Sequence, residues 1–548
     1  MNDHPDPATP RPLTLDAIAA AEAIAGVAYT DAERALMLDG LKGQIELTLR
    51  RRQTTLPWDL GPAQRFDPRL PGFTMPETGP FRWEPENAPL PGDDEGIAFA
   101  SLARLAGWMR AGRITAARLT RLYLDRIERL NPRLLCYAVV LPEAALAQAS
   151  AMDALLAGGT WLGPLHGIPY GMKDILDTAG VETSWGAEPY RGRIPEEDAF
   201  VTARLREAGA VLLGKTTVGA LAYGDLWHGG RTRNPWNVAE GSSGSSAGSA
   251  SAVVAGLAGF AIGTETLGSI VSPSARCGTA GLRPTFGRVS RRGAMPLCWS
   301  LDKIGPITRY ADDTAPVLAA INAPDALDAF QIPATFGYDP GLPLACRRLG
   351  YYAADFADED GAALEAARRI GLVPVELQRR ELPYDALVGV LFAEAAASFE
   401  DLTLTDRDDE LAWQDADAWP NQFRSARFLT AVDHVQLDRL RRLVMQEMDA
   451  ALREADFILA PSLTDTMTVI TNLTGHPCLT VRAGFRDLPT RGRESLLPVL
   501  PTAAPAGPPA RVPWAVSLYG RLFEEGALVA AGRALEEALG AAAERPAL

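Results

Sequence analysis

The sequence is poor in the residues from which metal sites and disulfide frameworks are built. Five histidines and five cysteines occur in 548 residues. The cysteines stand at 136, 277, 298, 346 and 478, an odd set without C-x-x-C spacing. That pattern argues against a disulfide scaffold and for a reduced, cytoplasmic protein. No H-E-x-x-H or clustered His/Cys pattern occurs, which speaks against a zinc hydrolase. No lysine follows the glycines of the Gly/Ser run at 241–248, which speaks against a phosphate cradle there, and G-x-G-x-x-G is absent, so no dinucleotide site is expected. A basic surplus is also missing: 53 Lys and Arg stand against 68 Asp and Glu, a formal net charge of −15. A nucleic-acid surface would need a basic stripe. The N-terminal MNDHPDPATPRPLT lacks a basic and then apolar leader. The longest charge-free run, Gly241–Thr264, is too rich in Gly and Ser for a membrane span. No metal or organic cofactor and no nucleic-acid or membrane partner is therefore expected.

What is present is material for a large core, with 47% hydrophobic and 22% charged residues. Residues 1–92 read as a helical extension and connector. Thr30 and Glu33 form a possible capping box, and Leu38, Leu41, Ile45 and Leu49 follow at helical spacing. A proline-rich stretch then runs from Pro57 to about Gly92. A second helix is predicted over Thr115–Leu130, stopped by Asn131-Pro132. Beyond it, apolar strands alternate with helical patterns at Gly167–Met172, Ala210–Gly214, Phe260–Gly263, Leu349–Tyr352, Leu372–Leu377 and Phe457–Ala460. This alternation predicts an α/β fold with a central, mixed β-sheet flanked by helices. Residues 93–548 are read as one catalytic domain, with a helical insertion at about 387–455. Pro501–Pro513 reads as a Pro/Ala loop, followed by a strand at Ala515–Leu518 and a final helix at Glu524–Ala543.

Chemistry concentrates in the charge-free run. GSSGSS alone is the composition of a linker. Here it leads into a run of small, uncharged residues, Ala247–Gly256, which suits a helix packed on all sides. A helix opening after a Gly/Ser loop presents free N–H groups and a positive dipole end, a setting that favours developing negative charge. Two hydrolase readings compete. Gly244-Ser245-Ser246-Ala247-Gly248 fits G-x-S-x-G, which would make Ser246 a nucleophile, with His434 or His476 as base. Alternatively, a serine hydrolase can use a neutral lysine as base, with backbone N–H groups for the oxyanion. Lys173 is the candidate, since it directly follows the apolar run Ile168–Met172.

Several segments together resemble the amidase signature family. They are GPLHGIPYGMKD (163–174), GSSAGSASAVVAG (244–256), GTETLGSIVSPSARCGTAGLRPTFGRVSRRG (263–293), SLDKIGPITR (300–309), TNLTGHPCLTV (471–481) and SLYGRLFEEGALVAAGRALE (517–536). The similarity runs in order from about residue 97 to 543. The resemblance implies an amidase signature fold and a catalytic lysine at Lys173. It implies a bridging serine, held by a cis peptide, at Ser245 and a nucleophile at Ser269. The oxyanion donors fall on the N–H groups of Thr266, Leu267, Gly268 and Ser269, and Ser246 takes a supporting hydrogen-bonding part. This assignment displaces the G-x-S-x-G reading. The implied activity is hydrolysis of the C–N bond of carboxamides through an acyl-enzyme. The alternatives are an esterase or carbamate hydrolase with the same triad, or the A-type component of a glutamine-dependent amidotransferase. The partner is a small-molecule amide, and a homodimer or a monomer is compatible with the family. The sequence departs from the common pattern at Glu265, Leu267, Val271 and Ala247. With arginine missing at 271, Arg276 is the candidate replacement as an ion-pair partner.

Overall fold

The computed structural model describes residues 13–357, 360–492 and 507–548. Its centre is a sheet of eleven strands. In spatial order these are Tyr137–Val140, Val211–Thr216, Pro169–Lys173, Phe260–Glu265, Lys303–Thr308, Ala280–Arg283, Cys478–Thr490, Gly507–Tyr519, Phe457–Pro461, Arg348–Tyr351 and Val373–Glu376. The sheet is mixed. Pro169–Lys173 runs parallel to both its neighbours, whereas Lys303–Thr308 is antiparallel to both of its own. Every residue of Pro169–Lys173, Val211–Thr216 and Phe260–Glu265 is buried. Strands covered on both faces read as continuous apolar runs rather than alternating ones, which is how they could be picked out in the sequence.

Helices flank the sheet. Ala116–Leu134 buries the predicted stripe Leu119, Leu122, Ile127 and Leu130, and its N-terminus is capped by the Thr115 hydroxyl. It continues one turn past the expected stop at Asn131-Pro132. Asn131 explains this: its side chain accepts from the N–H groups of Cys136 and Tyr137 and donates to the Tyr137 carbonyl. Those bonds tie the helix end to the first strand, outweighing the one hydrogen bond that Pro132 removes. The expected Pro/Ala loop at 501–513 is corrected in part. Residues 501–506 lie outside the described residues, while 507–513 belong to a long strand paired with Phe485–Thr490. Proline's fixed φ is compatible with extended chain, so the partner strand overrides local composition.

At the N-terminus the helix Asp31–Arg52 carries the predicted Thr30/Glu33 capping box. It buries no residue fully: Leu38, Leu41 and Leu49 are half-covered and Ile45 is exposed. The 387–455 stretch holds the helices Val388–Ser398, Glu400–Leu404, Trp419–Ala426 and Ala431–Glu454. Among the described residues no helix is long and apolar enough to cross a membrane.

Candidate active site

The charge-free run is a helix, Ala247–Val254, followed by the Phe260–Glu265 strand. All eight helix residues are buried. Small residues are required there because the helix lies directly on neighbouring backbone. A Cβ at Gly248 would stand 2.2 Å from the Cys136 carbonyl oxygen and 2.3 Å from the Thr217 nitrogen. The serines are not idle polar groups. Ser249 Oγ donates to the Ile262 carbonyl (2.9 Å) and Ser251 Oγ to the Arg233 carbonyl (2.9 Å). Each buried hydroxyl thus satisfies a main-chain acceptor.

Lys173 ends its strand beneath the start of this helix and is fully buried. Its Nζ lies 2.9 Å from Ser245 Oγ, 2.9 Å from Ser246 Oγ, 2.7 Å from Thr264 Oγ1 and 3.2 Å from the Thr264 carbonyl oxygen. The bonded neighbours are three hydroxyls and a carbonyl, which cannot neutralise an ammonium. Burial therefore drives the lysine pKa well below its ordinary value, against the raising fields of Asp302 and Glu265. A neutral amine has two N–H groups and one lone pair, and the lone pair takes a proton from a hydroxyl. Ser246 Oγ already donates to the Thr264 carbonyl (3.1 Å). Ser245 and Thr264 are left as hydroxyls able to donate to the nitrogen. The Gly244–Ser245 peptide bond is cis.

Ser269 lies in the turn between the Phe260–Glu265 strand and the Val271–Cys277 helix, with 8% of its surface exposed. Its carbonyl accepts from the Ser246 N–H (3.2 Å), which joins this turn to the serine loop. Gly268 has φ +85°, a conformation that glycine adopts at no steric cost. Among the described residues, the N–H groups of Leu267, Gly268 and Ser269 donate to no protein acceptor. The Leu267 side chain is half-buried and packs against the main core.

Two acids hold this turn, and neither was given a role from sequence. Glu265 Oε2 accepts from the N–H groups of Ile270 (2.7 Å) and Val271 (2.9 Å), so one carboxylate closes the turn from its first residue to its last. Its other oxygen accepts from Arg283 Nη1 (2.7 Å) and Asn472 Nδ2 (2.8 Å). Burial alone would raise Glu265, but Arg283, Lys303 and the Val271 N–H together hold it at about 2. The buried ion-pair partner of Glu265 is thus Arg283, the last residue of the Ala280–Arg283 strand. Asp302 accepts from Thr266 Oγ1 (2.6 Å) on one oxygen and from the N–H groups of Leu297 and Cys298 on the other. The SLDKIGP segment was visible as a motif, but its contact with the turn is purely tertiary.

A cavity of about 290 Å³ opens beside this centre. Thr264 and Thr266 line it, and its wall also includes Leu60, Met295, Leu297, Trp299, Ile304 and Phe330. The histidines weighed as bases for Ser246 lie elsewhere. His476 is buried against the Thr474 hydroxyl (2.8 Å), with its pKa pushed down to about 3 by burial and then by Arg283. His434 stands on the Ala431–Glu454 helix. Among the described residues no three His, Cys, Asp or Glu side chains gather as metal ligands.

Comparison with known families matches residues 118–529 to the Amidase family model. The chain belongs to the amidase family. It is 34% identical to the putative amidase AmiD of Mycobacterium tuberculosis over 490 residues, covering 83% of this chain and 97% of that one. It is 30% identical to the A component of the glutamyl-tRNA(Gln) amidotransferase of Methylobacillus flagellatus over 500 residues, covering 80% of this chain and 96% of the relative. Among solved structures, the native peptide amidase from Stenotrophomonas maltophilia superposes with a TM-score of 0.68 at 30% identity, covering 82% of this chain and 98% of its own. The mixed sheet flanked by helices is thus the amidase signature fold.

Proposed function

We propose that this amidase-family chain hydrolyses the C–N bond of carboxamides through Ser269, Ser245 and Lys173. The observation that carries the reading is the geometry of Lys173, fully buried with its Nζ 2.9 Å from the Ser245 hydroxyl, where burial lowers the pKa of the amine. Ser269 Oγ attacks the amide carbonyl carbon as its proton passes to Ser245 Oγ, and the Ser245 proton passes to Lys173 Nζ. The negative oxygen of the tetrahedral species is held by N–H groups drawn from Thr266, Leu267, Gly268 and Ser269. The uncommitted donors at 267–269 support that role, and one such donor is worth about 3–4 kcal/mol of transition-state stabilisation. Lys173, now an ammonium, returns a proton through Ser245 to the leaving nitrogen as the C–N bond breaks. Water then attacks the acyl-Ser269 ester, its proton travels the same relay, and the carboxylic acid departs. Ser246 supports the relay by fixing the lysine against the Thr264 main chain.

The similarity to the amidotransferase A component supports a second reading, in which the chain releases ammonia from glutamine only beside partner proteins. The mainly apolar cavity wall favours the first. A fluorophosphonate probe followed by peptide mass mapping separates the possibilities at the residue level. The expected adduct is on Ser269; an adduct on Ser246 would return the G-x-S-x-G mechanism. Ammonia release from simple and aryl amides by the purified chain alone is the expected outcome, and activity that appears only with partner proteins and tRNA would select the second reading.

A further inference from the structure

The far wall of the cavity is supplied by a segment that precedes the residues matched to the family model. Pro57–Leu60 forms a tight turn, with the Leu60 N–H donating to the Pro57 carbonyl (3.1 Å). Three contacts fix that turn over the cavity. Trp58 meets Trp185 edge-on, at 5.5 Å between ring centroids, and the Arg193 guanidinium lies over both rings. Gly61 sits so close to Phe330 that a Cβ would fall 2.7 Å from its ring. Arg65 Nη1 donates to the Ala329 carbonyl (2.8 Å). Asp59, Leu60 and Gly61 consequently line the same cavity as Trp299 and Phe330. Leu60 is nonetheless 57% exposed, an apolar side chain held at the mouth without a full set of protein neighbours.

Most charged groups of the wall are already committed. Arg291 donates to the Trp299 and Asp302 carbonyls, and its guanidinium stacks on Phe330. Asp302 is taken by Thr266, Leu297 and Cys298. Lys303 donates to the Leu301 carbonyl, and Asp328 accepts from the N–H groups of Arg291 and Phe330. Arg292 is paired with Asp325, so apart from the Asp59 carboxylate next to Leu60 a ligand entering there meets mainly aromatic and aliphatic surface.

We propose that Leu60 is a specificity-determining residue, and that with Trp299 and Phe330 it receives an uncharged aryl or alkyl group of the amide substrate. The volume, at the small end of ligand pockets, suits an aryl-alkyl group rather than a long peptide. The proposal rests on the amidase reading for its substrate class. The test compares propanamide with 4-phenylbutanamide as substrates of the full chain and of Leu60→Ala. For 4-phenylbutanamide, KM should rise about five- to twenty-fold, the effect of losing a few methylene contacts, with kcat changed less than about two-fold. Propanamide, which lacks the aryl-alkyl group, should lose far less than 4-phenylbutanamide, and Leu60→Met should restore the wild-type KM. In a Ser269→Ala background, calorimetric Kd for 4-phenylbutanamide should weaken by the same factor on adding Leu60→Ala. Equal losses on both amides, an unmoved KM and Kd, or no binding of 4-phenylbutanamide at all would overturn the proposal. Leu60-dependent binding by a chain that hydrolyses no amide would instead retain the pocket and remove the amidase reading.

Discussion

Two lysines stand side by side on adjacent parallel strands, Lys173 and Lys215, offset by one residue in register. Both are fully buried. Their surroundings differ in one respect that decides their chemistry. Lys215 Nζ donates to the Leu176 carbonyl (2.5 Å) and to the hydroxyls of Thr183 (2.8 Å) and Thr178 (3.2 Å), with Asp174 and Asp177 acting on it through their charge. Burial lowers its pKa, those carboxylates oppose the fall, and it settles at about 8. Lys173 is bonded to hydroxyls and a carbonyl, and burial takes it well below the ordinary value against the raising fields of Asp302 and Glu265. Burial makes a lysine uncomfortable; whether it then becomes a base or remains a cation depends on which acids are within reach. Lys215 lies in the fields of Asp174 and Asp177, and Lys173 faces the hydroxyls of Ser245, Ser246 and Thr264.

The strongest way to break this comparison is to remove each amine in turn. Lys173→Ala should lower kcat/KM by at least about 10³- to 10⁴-fold, since both base and nucleophile activation go with it. Lys215→Met should lower it by less than about ten-fold while costing roughly 1–3 kcal/mol of stability, from acceptors left unpaired. Comparable activity losses in the two variants would erase the distinction. In the wild type, activity should increase with pH through an ionisation far below the usual lysine value of about 10.4, because only the neutral amine accepts a proton.

Glu265 shows the other way to bury a charge, fully paired, and offers the next largest effect. Glu265→Gln leaves Arg283 charged and without its carboxylate, and should cost about 3–5 kcal/mol in urea unfolding. The folded pKa is depressed from 4.5 to about 2. The pair's contribution is thus complete above the unfolded value and is lost as pH falls through about 2. Wild type and Glu265→Gln should accordingly converge in stability across that acid window. An unchanged difference there would mean that the ion pair is not what Glu265 supplies.

The smallest effect sharpens the comparison most directly. Asp174 raises Lys215 and is itself pushed up to about 6, chiefly by burial. Asp174→Asn should move Lys215 below about 8, toward the behaviour of Lys173, as read by carbon-13 NMR titration of labelled lysines. An unmoved or raised Lys215 would show that its carboxylate neighbours do not set its charge. The sign for stability follows. With a folded value of about 8 and an unfolded one near 10.5, Lys215 makes the wild type more stable as pH rises between those values.

Much of this arrangement could be read along the chain because its elements are local. Lys173 at the end of an apolar run, the Gly/Ser loop and the small-residue helix each follow from packing rules that act over a few residues. The Thr30/Glu33 cap and the Leu119–Leu130 stripe were legible for the same reason. What was missed lies across the fold. Thr264, whose hydroxyl makes the shortest contact to Lys173, lies just past the strand predicted at Phe260–Gly263 and drew no role from the sequence. Arg283 could not be picked out as the partner of Glu265, because only strand pairing brings it to the turn. Leu60 looked like part of a proline-rich connector.

By itself the sequence determined the hydrophobic strands, the small-residue helix and the order of hydroxyls and lysine, since periodicity and side-chain size are properties of neighbouring residues. Only the tertiary structure decided that the lysine's pKa would fall, which acids would hold the 266–269 turn and which distant leucine would line the cavity. Desolvation and charge pairing depend on distances in space, and residues far apart in the chain meet only after the sheet has assembled.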